Sequence, residues 1–129
     1  MLAVALIVIA GCFSATVSAQ ENLNALMKKC EAMDDVSLNV VQQRDPTTKK
    51  TTQVIRTVKF TNKKALVDDF LKAFQTDKNE AVQAIESKKH GKMVPSYYQF
   101  IDKNKQVSYS FKISEDGTGA SITYIQNGE

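Results

Sequence analysis

The residues able to do chemistry in this 129-residue chain are few and scattered, with one histidine, His90, and two cysteines, Cys12 and Cys30. A nucleophile–base pair needs a cysteine beside a histidine, and a zinc site needs three or four such ligands. Cys30 falls among Leu23, Leu26, Met27 and Met33 at helical spacing, so it reads as a small hydrophobe within an apolar stripe. His90 follows Lys88-Lys89 and precedes Gly91, as expected at a helix C-terminus where cations meet the dipole and glycine caps. The acidic pairs Asp34-Asp35 and Asp68-Asp69 lack the oxygen spacing of a calcium loop and read as solvated faces. Asp116-Gly117-Thr118-Gly119 lies between two expected strands, not between a strand and a helix as phosphate cradles require. These patterns point to no catalytic residue, no metal and no cofactor.

Charge offers no stronger lead. Seventeen basic and fourteen acidic side chains leave a net charge of +3, too mild to indicate a nucleic-acid partner. The four Lys-Lys pairs, at 28–29, 49–50, 63–64 and 88–89, are spread along the chain and interrupted by acids. A nucleic-acid reader would gather them with aromatics on one surface. The four tyrosines, Tyr97, Tyr98, Tyr109 and Tyr124, all fall on expected strands. They are the candidate partner surface if one row is exposed, and core residues if it is not.

Residues 1–19 carry no charge. The apolar run 1–13 passes into Ser14-Ala15-Thr16-Val17-Ser18-Ala19, with small side chains where a signal peptidase would cut before Gln20. The run is shorter than the roughly 20 residues a membrane span needs. It therefore reads as a signal peptide, although Leu2 follows Met1 where Lys or Arg is usual. A second processing pattern competes, because Ile9-Ala10-Gly11-Cys12 resembles a lipobox, in which Cys12 would be lipidated and would anchor the protein. Either route exports residues 20–129, expected as one α+β domain, to the periplasm or beyond; membrane attachment is expected only with Cys12 lipidated.

The remaining elements would position these groups. A helix is expected over 21–33, followed by a strand in which Val36, Leu38 and Val40 form one buried face. Arg44-Asp45-Pro46 opens a turn into a second strand, 51–60, where Arg56 shares a face with Val54, Val58 and Phe60. Thr61 or Asn62 is expected to cap a helix over 63–76. Asp77-Lys78-Asn79-Glu80 reads as a capping box opening a third helix through Ala81, Val82, Ala84 and Ile85. Strands follow over 97–101, 107–113 and 120–124, the middle one alternating Val107, Tyr109, Phe111 and Ile113 with polar residues. The order α-β-β-α-α-β-β-β predicts an antiparallel sheet of about five strands with helices packed on one face.

This plan resembles small exported proteins of unknown function found in Bacteroidetes-type bacteria. The resemblance rests on the leader end Val17-Ser18-Ala19-Gln20-Glu21-Asn22, on Met33-Asp34-Asp35-Val36, on Arg44-Asp45-Pro46 and on Gly91-Lys92-Met93-Val94-Pro95-Ser96-Tyr97-Tyr98. It implies no catalytic residues. The expected function is a non-catalytic binding or interaction module of the bacterial envelope, with an unidentified protein or envelope component as partner. The alternatives are a lipid-anchored envelope-assembly lipoprotein using Cys12 and, less well supported, a small enzyme depending on Cys30.

Overall fold

A computed structural model describes residues 21–127; the leader expected at 1–19, with Cys12, lies outside the described residues. Helix α1 spans Glu21–Glu31 and helix α2 spans Lys64–Asp77, followed by a single 3-10 turn, Lys78–Glu80. The strands are β1 (Ser37–Arg44), β2 (Thr51–Phe60), β3 (Gln83–Lys89), β4 (Lys92–Asp102), β5 (Lys105–Ile113) and β6 (Ala120–Asn127). They form one antiparallel sheet in the order β1-β2-β6-β5-β4-β3. The fold is α+β as expected, with six strands and two helices in place of about five strands and three helices.

The core lies between the helices and one sheet face. Val58 pairs with Ile122, which pairs with Phe111, and Tyr98 pairs with Tyr109; all five are buried. Leu23, Met27 and Cys30 of α1, with Leu66, Phe70 and Phe74 of α2, fill the other side. Spacings of three and four residues put each trio on one helical face. Phe74 is the hub: its ring sits 5.2 Å from Tyr98 edge-on and 5.1 Å from Phe111. Such aromatic pairs add about 0.5–1.5 kcal/mol beyond the area they bury.

Three expectations change. The expected third helix is strand β3, joined to β4 by His90 and Gly91, which both have positive φ (53° and 81°). Two successive left-handed residues make the tight reversal whose twist suits a hairpin. Glycine is there for its left-handed conformation, as a helix cap would require, but the element it ends is a strand. Lys103 and Asn104 turn β4 into β5 in the same way, with φ of 52° and 70°. Pro95 lies within β4, opposite Glu86 and beside the register shift between Ile85 and Glu86, where an absent N–H costs no regular ladder bond.

Strand β1 forms, but its expected buried face does not: every residue from Ser37 to Arg44 is exposed. Neither α1 nor α2 extends over this edge, and only Val36, just before it, is buried. The cap on α2 also differs. Lys63 is the N-cap residue without a side-chain bond, Asn62 has a φ of 57°, and the Lys63 N–H donates to the Thr118 carbonyl at 2.7 Å. The β5–β6 turn thus holds the start of α2. Gly119 permits that approach, because a Cβ there would stand 2.5 Å from the Phe60 carbonyl oxygen.

Asp77 opens no third helix. Its buried carboxylate accepts the Leu23 N–H at 2.8 Å and the Asn22 side-chain amide at 2.7 Å. The last residue of α2 therefore caps the first turn of α1, where unpaired N–H groups and the dipole favour an anion. The Tyr109 hydroxyl donates to the Asn24 side-chain oxygen from the sheet side. Successive residues of α1 are thus fixed to α2 and to β5.

Asp77→Ala leaves the Leu23 N–H buried without its partner and should cost roughly 2–3 kcal/mol in urea unfolding. Asp77→Asn, which keeps an acceptor, should cost less; equal stability of all three proteins would refute the cap. On the far edge, the Glu86 carboxylate accepts the Lys78 ammonium and the Tyr98 hydroxyl, both at 3.0 Å, and these bonds hold its pKa below the usual range. A depressed folded-state pKa gives stability that is present above the unfolded value and lost as pH falls through the folded one. Unfolding measured from pH 6 down to pH 2 should therefore show a loss below about pH 4 that is smaller in Glu86→Gln.

Candidate functional site

The central row of the inner sheet face reads Val40, Arg56, Tyr124, Tyr109, Tyr98 and Ala84 across β1, β2, β6, β5, β4 and β3. Three of the four tyrosines lie in this row. Tyr97, one residue out of phase with Tyr98, points to the opposite face. Tyr98 and Tyr109 are fully buried, while Tyr124 is half-buried. The four therefore form no common exposed surface: two are core residues, and Tyr124 brings the row to solvent beside Arg56.

Above this end of the row lies one flank of α1. Asn24, Lys28 and Glu31 follow one another at four and three residues, so they share a helical face. Between that flank and the sheet runs an open groove of about 410 Å³, with Arg56, Tyr109 and Tyr124 on its sheet side. The volume is within the usual range for small-ligand sites, about 300–1,000 Å³. Arg56 on an otherwise apolar face is the sequence signal that marks this position. The partner flank of α1 has no such signal until the register of helix and sheet is known.

The groove has polar groups of both kinds on an aromatic floor. Arg56 Nη1 stands 3.7 Å from Glu31 Oε2, both side chains being partly exposed. A guanidinium has five N–H donors, more than one glutamate contact uses. Lys28 adds a second cation on the helix side. The Tyr124 hydroxyl donates to Gln126 Oε1 at 2.7 Å, and its ring is 5.2 Å from that of Tyr109. Burial pushes the Tyr124 phenol up, against the pull of Arg56, and burial likewise raises Tyr109. Both stay protonated near neutral pH. Two cations against one carboxylate favour a ligand group bearing negative charge, and the half-buried Tyr124 ring, backed by buried Tyr109, supplies a flat apolar contact.

The other residues singled out from sequence do not converge here. Cys30 is buried on the core side of α1, where burial raises its thiol to about 11, the opposite of an activated nucleophile. His90 is exposed in the β3–β4 turn. Asp35 pairs with Lys63 at 2.7 Å and Asp68 with Lys64 at 3.4 Å, while Lys89 donates to the Ile113 carbonyl at 3.1 Å. Asp116 organises its own turn, accepting the Ser114 hydroxyl and both the N–H and hydroxyl of Thr118. Among the described residues, no three of His, Cys, Asp and Glu are grouped to hold a metal ion.

Residues 20–125 match a family model described as a domain of unknown function (DUF5024). No curated protein and no solved structure matches the chain.

Cys30 should react with iodoacetamide at neutral pH at least about 100-fold more slowly in the folded protein than in denaturant. Comparable rates in the two states would remove Cys30 from the core and reopen a reactive role for it.

Proposed function

Because the chain belongs to a family of domains of unknown function (DUF5024), we propose that it is a non-catalytic binding module of the bacterial envelope, of the Bacteroidetes type. The groove beside Arg56 carries this reading. It joins cationic donors, a protonated tyrosine and an aromatic floor at one place, which suits recognition of a group bearing a carboxylate or phosphate. Cys30 is shielded, and His90 sits in an exposed turn outside the groove. The uncharged segment 1–19, ending in small residues before Gln20, supports export to the periplasm or beyond. The Ile9-Ala10-Gly11-Cys12 pattern favours a second reading, an envelope-assembly lipoprotein anchored through Cys12.

Ligand-detected NMR of the natively processed protein with small carboxylates, phosphates and acidic peptides tests the groove. At least one compound should bind, and Arg56→Ala should weaken it about tenfold, the loss of one charge-assisted bond. The absence of any binder that separates wild type from Arg56→Ala counts against the site. Turnover in hydrolase or redox panels that is abolished by Cys30→Ala or His90→Ala would overturn the non-catalytic reading. Intact mass separates the two forms of export: a free Gln20 terminus supports cleavage after Ala19, and a lipid adduct on Cys12 supports the anchored lipoprotein.

A further inference from the structure

The two edges of the sheet are built differently. The outer strand β3 carries Glu86, Lys88 and Lys89, and its register shifts midway, between Ile85 and Glu86. Charges and bulges of this kind keep an edge from pairing with another chain. Strand β1 has no such protection through its length: Ser-Leu-Asn-Val-Val-Gln-Gln contains no lysine, no acid and no proline, and its irregularity falls only at Gln43/Arg44. Leu38, Val40 and Val41 are 41%, 48% and 46% exposed. Among the described residues nothing pairs with the outer side of β1. A long, exposed, apolar edge is a template for another strand.

We propose that β1 is the interface with a second copy of this chain, the two β1 strands pairing antiparallel about a two-fold axis to join two six-stranded sheets. The strand is self-complementary in charge. Its single charged residue, Arg44, closes its C-terminal end, and the exposed Asp34 lies just before its N-terminal end; antiparallel pairing brings each to the other. Side chains alternate between faces, so keeping both helical layers on one side pairs even residues with even and odd with odd. Centring the axis on Asn39 sets Leu38 of each copy opposite Val40 of the other, on the helical side. It also brings Arg44 of each copy toward Asp34 of the other. The apolar cross-strand pairs favour association, and the pairing of Arg44 with Asp34 selects this register over its neighbours, in which Arg44 would face Ala32 or Val36.

Sedimentation equilibrium of the natively processed protein tests the interface, with Asn39→Lys as the disrupting variant because it sets two ammonium groups opposite each other at the axis. Asn39 is exposed, and unchanged far-UV circular dichroism will show that the variant folds. The expected result is a mass of two chains at micromolar concentration for wild type and one chain for Asn39→Lys. Independently, Asn39→Cys should form an interchain disulfide under mild oxidation, since paired Cα atoms lie about 4.5–5.5 Å apart, within disulfide reach. Ser37→Cys, displaced from the axis, should not. A wild-type monomer, a dimer indifferent to Asn39→Lys, or equal cross-linking at both positions overturns the proposal.

Discussion

The arrangement depends on one buried carboxylate. Asp77 ends α2 and meets the first turn of α1, accepting the buried Leu23 N–H and, through a part-buried bond, the Asn22 amide. A charge in that position is tolerated only because polar donors surround it. The helix end gains what it lacks, an acceptor for an N–H with no partner inside the helix. With Tyr109 holding Asn24 from below, α1 is fixed in register over the sheet. That register brings Lys28 and Glu31 to Arg56 and Tyr124, so the groove follows from the cap.

The sheet carries the same logic outward. Its inner face is apolar where α1 and α2 lie on it, through Val58, Ile122, Phe111, Tyr98 and Phe100. Toward β1 the helical cover ends and the row becomes Tyr124, Arg56 and then exposed Val40. The charged groove and the bare edge both lie at this margin of the helical layer. A ligand in the groove and a second chain along β1 would therefore be neighbours.

Local patterns showed much of this fold. The stripe of Leu23, Met27 and Cys30, the stripe of Leu66, Phe70 and Phe74, and the alternation of β5 all appear in the structure because each repeats at the period of its element. Strand β3 was not legible: at an exposed edge it needs few apolar residues, and Ala81, Val82, Ala84 and Ile85 match helical spacing by chance. Gly91 signalled a left-handed residue correctly, but hairpins and helix ends share that signal. Asp77 departs from its local pattern for a different reason. A capping box is a local pattern, whereas its actual partner Leu23 is 54 residues away in sequence. The candidate site was half visible, in Arg56 on an apolar face. Its other half needed the packing of α1, which no local pattern encodes.

Helix α1 is locked to the sheet, which makes the groove a fixed site. Hydrogen–deuterium exchange of the natively processed protein measures this directly. The amides of α1 beyond its first turn should exchange only through global unfolding, at the same opening free energy as those of β5. Fast exchange throughout α1 while β5 stays protected would show a helix that leaves the sheet on its own, and would contradict the account.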